Sequence, residues 1–476
     1  MKRFLFLLVC VLPLITPAAV AQQANLPGFG EGNAVSLNQE YYLGRAWLMS
    51  FRRQAPIMND VIVQDYVESL VYGLVETSQL RERRLEILVV ENKSINAFAV
   101  PGGIVGVHSG LIAKAETESQ FASVLTHELA HLSQRHFSRG LEAQKKSSAA
   151  GMAGLLGGLV MIAAGAGDAG MAAMMGGQAS AMNSQLRYSR MHEQEADRIG
   201  MQNQVAAGLD PGGAAGMFTV MQQDSRGQGN RPPEFLLSHP LTESRIADAR
   251  NRAGTYPSRI YEDSREFQLM RARVELSFMD DNAEAVAYFR NKRAKGGKNA
   301  VAAQYGLILA LTKNGDYEEA RALLRPMREF APTNMVYGLA EADIDIEEKK
   351  YTSAIELLNR GLTLVPDNHP ISLYLAKAYY RAGDYSNADR LLSAQSRLHP
   401  SDSQLWYILA EVQGKAGNIL GLHQSRAEYF ALNGAMEKAI EQLKLALPLV
   451  QDPVSEERIH TRIEHFQNIA AALRNF

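Results

Sequence analysis

The stretch His127-Glu128-Leu129-Ala130-His131 decides how the first half of the chain is read. It lies inside a run from about Glu116 to Phe137 that reads as one helix. Spacing of i and i+4 puts the two imidazoles on one face, a turn apart. That suits two ligands of a tetrahedral zinc ion, with Glu128 beside them as general base. A third ligand has to come from elsewhere. A downstream glycine and histidine at 134 and 137 would extend the motif on the same chain segment. Those positions hold Gln134 and Phe137, and His136 is out of phase with the pair. The remaining source is a second helix, read over roughly 187–207, where Ser189-Arg190-Met191-His192-Glu193-Gln194-Glu195-Ala196-Asp197 stands. His192, Glu193 and Glu195 are all competent ligand types, and spacing alone does not choose among them.

Working outward, the pattern before the motif is helix, helix, then short strands. Apolar residues recur at helical spacing from Leu37 to about Thr77, broken near Pro56. Leu85 to Val90, Asn96 to Val100 and Ile104 to Val107 read as strands, the last two joined by the turn Pro101-Gly102-Gly103. After the second helix, Pro211 starts a short helix, and residues 227–233 form a polar, Pro-containing loop.

The C-terminal half repeats. Tyr317, Tyr351 and Tyr385 are 34 residues apart, as are Ala320, Ala354, Ala388 and Pro332, Pro366, Pro400. This is the tetratricopeptide period: each helix pair buries its apolar face only by stacking on the next. A degenerate unit is expected at 265–298, later ones at 403–432 and 435–450, and a capping helix at about 456–474. Such a stack offers a groove for peptides or partner proteins.

The chain's ends and composition narrow the class. Lys2 and Arg3, the apolar run Phe4 to Ile15, and Ala19-Val20-Ala21 read as a cleaved export signal over residues 1–21. Cys10, the one cysteine, lies within it, so disulfides, thiol catalysis and thiolate metal sites are excluded from the mature chain. With 49 basic and 51 acidic residues the chain carries no basic field of the kind that binds nucleic acid. Residues 149–182 are Ala-, Gly- and Met-rich. A single membrane span there would put His131 and Glu193 on opposite sides, and two spans need about 40 apolar residues. A helix-loop beside the site, in reach of substrate or a membrane surface, is expected instead.

The second helix resembles that of the M48 peptidase family, which carries S-R-x-x-E-x-x-A-D. That resemblance implies Glu193 as the third zinc ligand, one Zn2+ per chain, and Asp197 orienting a ligand histidine or helping proton transfer. Asn96 to Gly103 is similar to the family's strand and turn before the zinc helix, implying a strand edge that pairs with substrate backbone. Ser238-His239-Pro240 and Arg245-Ile246 look like the segment whose His and Arg lie over the metal in similar peptidases and stabilise the tetrahedral intermediate. In the exported, repeat-bearing branch the His can instead occupy the open metal position as a latch.

The implied fold is mainly α: a zincin-like α+β metalloprotease domain with a small sheet over 22–255, then a tetratricopeptide solenoid over 256–476. The implied activity is that of a periplasmic zinc endopeptidase acting on misassembled outer-membrane β-barrel proteins. A chaperone-like role in their assembly goes with it, the repeats docking on the assembly machinery or its clients. A mostly latched site on a repeat-based adaptor is the alternative.

Overall fold

Helices dominate the chain in a computed structural model, which describes residues 36–143, 179–227, 229 and 232–474. The export signal over 1–21, the arm over 22–35 and residues 149–178 of the Gly- and Met-rich segment lie outside these. No helix of the described residues is long and apolar enough to cross a membrane.

The N-terminal half opens with α1 (Leu37–Arg52) and α2 (Val61–Glu76), as the periodicity predicts. Ser36 and Gln39 close a reciprocal cap on α1, and Asp60 Oδ1 accepts from Ile62 N and Val63 N at the start of α2. Three strands follow: β1 (Glu86–Val90), β2 (Ala97–Val100) and β3 (Ile104–His108). The order is β1-β3-β2, with β1 parallel and β2 antiparallel to β3, so β2 is an edge. Gly102 and Gly103 turn β2 into β3 at φ +86° and +81°. A Cβ on either would meet a backbone oxygen at 2.6 Å, of Glu40 and Arg84 respectively, so the turn admits only glycine.

Beyond α3 (Ser109–Lys114), α4 (Glu118–Ser133) carries the paired histidines through the centre of the domain. Every residue from Gln120 to Ala130 is buried, because β2, α6 (Ala179–Ala206) and α7 (Gly213–Gly227) surround it. The single helix expected to Phe137 ends earlier. Arg135 turns left-handed at φ 52°, and α5 (His136–Ala143) sets off in a new direction. The reversal is held by Glu40, which receives Arg135 Nε at 3.0 Å and Nη2 at 2.7 Å, and also Ser138 Oγ. The domain ends with α8 (Glu234–Ser238) and α9 (Glu243–Ala253).

Six helix pairs form the solenoid. They are α10/α11 (Arg265–Ser277, Asn282–Ala294), α12/α13 (Ala300–Asn314, Tyr317–Phe330), α14/α15 (Met335–Glu347, Tyr351–Leu364), α16/α17 (His369–Ala382, Tyr385–Leu398), α18/α19 (Ser403–Ala416, Ile419–Leu432) and α20/α21 (Met436–Ala446, Pro453–Arg474). Ala320, Ala354 and Ala388 are each fully buried, as small residues must be where helices approach closely. The stretch 435–450 is not a two-helix unit. It supplies one helix, and the expected capping helix is its partner, starting at Pro453.

The solenoid is built onto the N-terminal half. Phe267 of α10 stacks on Phe121 of α4, with ring centroids at 5.7 Å, and one apolar core runs from Met58 to Ala378. Asp60 Oδ2, on the same carboxylate that caps α2, pairs with Arg273 Nη2 of α10 at 2.8 Å. Arg52 Nη2 donates to Ser401 O at 3.0 Å. Since α2 packs on α10 and α16, both first helices of their pairs, part of the face expected to be an open groove is filled by the chain itself.

Candidate metal centre

Four donors converge where α4, α6 and the turn after α8 meet. They are His127, His131, Glu193 and His239, whose ligand atoms all lie within 4.8 Å of one another. His127 Nε2 is 3.0 Å from His131 Nε2, 3.4 Å from His239 Nδ1 and 3.4 Å from Glu193 Oε2. Glu193 Oε1 is 3.5 Å from His131 Nε2 and 3.0 Å from His239 Nδ1. Ligand distances of about 2.0–2.2 Å around a tetrahedral ion imply donor separations of roughly 3.3–3.6 Å, which these contacts approach. The residues present therefore fit a metal ion.

The meeting of α4 and α6 depends on Gly200. A Cβ there would sit 3.0 Å from His127 N and 3.1 Å from Thr126 C, so a larger residue would push the helix carrying Glu193 off the one carrying the histidines.

Of the rival ligands on α6, only Glu193 reaches the histidine pair. His192 stacks on His136, ring centroids 4.1 Å apart, and Glu195 bonds His136 Nε2 at 3.1 Å and Arg139 Nη1 at 2.9 Å. His136, set aside on phase, is brought back by the reversal at Arg135, and its Nδ1 lies 2.9 Å from His131 Nδ1. No sequence signal marked it, because the reversal is a single left-handed residue held by the distant Glu40.

Comparison with known proteins agrees with this geometry. The sequence model described as Peptidase family M48 matches residues 62–253, and tetratricopeptide repeat models match 269–334 and 345–412. The chain is 33% identical over 459 residues to the Beta-barrel assembly-enhancing protease of Escherichia coli, covering 96% of this chain and 94% of that one. The protein of that name from Yersinia pestis is 31% identical, over 97% of this chain and 95% of the relative. The chain belongs to peptidase family M48. A mitochondrial metalloendopeptidase of Schizosaccharomyces pombe matches 38% of this chain and 50% of its own length at 29% identity.

This M48 metallopeptidase encloses its donors in a charged network. His127 Nδ1 lies 3.0 Å from Asp197 Oδ1. Burial opposes a charge on His127, but Asp197 and Glu193 outweigh it and raise the imidazole to about 9. Burial pushes His131 well below its ordinary value. Glu193 is held well below the usual carboxylate range, its burial overcome by the surrounding histidines, His239 foremost. Glu128, almost wholly buried, is pushed up by desolvation, and its Oε1 makes no hydrogen bond. That Oε1 lies 3.5 Å from His239 Nε2.

Arg245 is turned inward. Its Nε and Nη2 bond Asp197 at 2.7 and 2.8 Å, while Nη1 meets Glu193 Oε2 at 3.0 Å and Pro240 O at 2.9 Å. All three guanidinium nitrogens are thus committed within the protein. In this arrangement its donors hold the Asp197 and Glu193 carboxylates in place.

The edge strand faces the same place. His108 N donates to Asn96 O at 3.0 Å, so Asn96 faces β3, and by alternation Ile95, Ala97 and Ala99 face outward. Ala99 N–H reaches the Glu128 carboxylate, and Ile95 O accepts Phe235 N–H at 3.1 Å.

Proposed function

We propose that the chain is a zinc-dependent endopeptidase of the bacterial envelope that acts on outer-membrane β-barrel proteins. In this reading residues 22–255 are the catalytic domain and 256–476 a client- or partner-binding domain. The observation that carries it is the convergence of His127, His131, Glu193 and His239 beside the buried Glu128.

His127, His131 and Glu193 hold the ion. A donor set of two imidazoles and one carboxylate matches that of catalytic zinc sites. When bound, zinc supplies Lewis acidity to the scissile carbonyl and to a water. Glu128, with its raised pKa and a free carboxylate oxygen, takes the water's proton and returns it to the leaving amine. Asp197 fixes His127 through Nδ1–H, and Arg245 fixes Asp197 and Glu193 together. The outward edge of β2 receives the substrate as an added strand, so recognition runs through backbone rather than side chains. His239 lies among the donors where a catalytic metal site would leave a position open, which supports reading it as a latch.

The relatives named Beta-barrel assembly-enhancing protease support the substrate class, the envelope location and a role in assembly. Degradation of stalled barrels and chaperone-like help are the two arms of this proposal, and the repeats are the surface on which clients or the assembly machinery dock. The closed donor set also favours a second reading, an adaptor whose metal site is mostly latched. Glu128→Gln separates the two. Cleavage of unfolded casein should be lost while zinc content and partner binding are kept. Unchanged barrel assembly in that variant would establish the adaptor reading, and a chain purified without stoichiometric metal would overturn the peptidase reading.

A further inference from the structure

The segment that carries His239 is anchored by a polar cluster outside the donor set. Ser94, between β1 and β2, donates from Oγ to Glu234 Oε2 at 3.1 Å. The same Oγ lies 2.8 Å from Nδ1 of the fully buried His108, at the end of β3. Ser94 has one hydroxyl proton, so having given it to Glu234 it accepts from His108 Nδ1–H. His108 Nδ1 is 3.7 Å from Glu234 Oε2, which closes the triangle.

Glu234 opens α8, and the contacts continue without a break to the metal donors. Phe235 N–H donates to Ile95 O at 3.1 Å, and His239 N–H donates to Phe235 O at 2.9 Å. The Phe235 ring is buried and stacks on His239, ring centroids 4.6 Å apart, and meets the His127 ring in a T-shaped contact at 5.9 Å. His239 cannot leave the donor set as a rigid piece unless Phe235 lets go of Ile95 and Glu234 lets go of Ser94.

Ile95 O, two residues before β2, points outward in line with the strand's edge. It is one of the backbone groups that an extended peptide needs for pairing, and Phe235 N–H occupies it.

We propose that Ser94, His108 and Glu234 are positioning residues that pin the latch, and that an extended peptide opens the site by competing with Phe235 for Ile95 O. Substrate pairing and latch release are then one exchange of hydrogen bonds. Any unfolded segment able to pair in the extended conformation triggers it, and a folded chain, with its backbone groups already paired, does not. This rests on His239 being a latch and β2 being the peptide-binding edge.

The test compares wild type with Ser94→Ala, Glu234→Gln and His239→Ala in the full zinc-loaded chain. The readouts are amide hydrogen exchange over 234–239, the rate at which EDTA extracts zinc, and casein cleavage, with thermal melting as the folding control. Each pin variant should speed exchange and extraction about tenfold, the size that losing one or two hydrogen bonds gives. Cleavage should rise with them, and Ser94→Ala should add nothing in a His239→Ala background, where there is no latch left to release. A general loss of structure would instead act equally in both backgrounds. In the Glu128→Gln chain, saturating unfolded casein should speed exchange at Phe235. Unchanged exchange and extraction in both pin variants, with His239→Ala effective, would overturn the pin alone. Unchanged exchange at Phe235 with casein would overturn the competition. Zinc extraction and cleavage unaltered by His239→Ala would overturn the latch reading beneath both.

Discussion

Arg245 and Asp197 are joined through two parallel hydrogen bonds of 2.7 and 2.8 Å, and Asp197 in turn lies 3.0 Å from His127 Nδ1. A cation fixed on a carboxylate fixed on an imidazole sets which ring nitrogen of His127 faces the donor cluster. Removing Asp197 frees that ring. Asp197→Ala should weaken zinc binding by roughly 10–100-fold. Arg245→Ala should cost about as much, and the double variant little more, because both release the same group. Zinc affinity by chelator competition decides this, and strictly additive losses would show two independent roles.

The protonation of His127 gives the metal site a pH dependence. In the metal-free chain its imidazole is raised to about 9 from 6.5. A raised value means that the proton stabilises the fold fully below the unfolded value, and that this contribution is lost as pH rises through about 9. Zinc binds the neutral ring and must displace the proton below that point. Apparent zinc affinity should therefore rise about tenfold per pH unit from about 7 to 9 and flatten above. Competition titrations across this range check it, and a profile flat from pH 7 upward would refute it.

Close approach of two helices is the next testable feature. Gly200→Ala places a methyl 3.0 Å from His127 N, against backbone that cannot rotate away. The cost expected for overpacking is about 1–3 kcal/mol, and the shift of Glu193 from His131 should lower zinc affinity as well. Melting temperature and zinc titration together test it. A stable variant with wild-type affinity would show that the helices have slack there.

Phe267 ties the two halves of the chain into one core, stacked on Phe121 and set against Tyr66 at 6.4 Å. Phe267→Ala should cost about 3–5 kcal/mol. Wild type should unfold in one calorimetric transition, and the variant should separate the repeats from the peptidase half. Two transitions already present in wild type would contradict a shared core.

Sequence alone determined what local geometry dictates. Positions four apart on a helix share a face, so His127 and His131 were legible as a pair. The 34-residue phase of tyrosine, alanine and proline laid out the repeats before any contact was known. Tertiary structure decided which groups meet across elements. It brought Glu193 rather than His192 or Glu195 to the histidines, turned His136 back onto His131 and pointed Arg245 inward. It also seated His239 among the donors and laid α2 against the repeats. Those outcomes hang on a helix crossing at Gly200, a left-handed residue at Arg135 held by Glu40, and a core shared through Phe267. Each is set by packing between residues far apart in the chain, which no local period records.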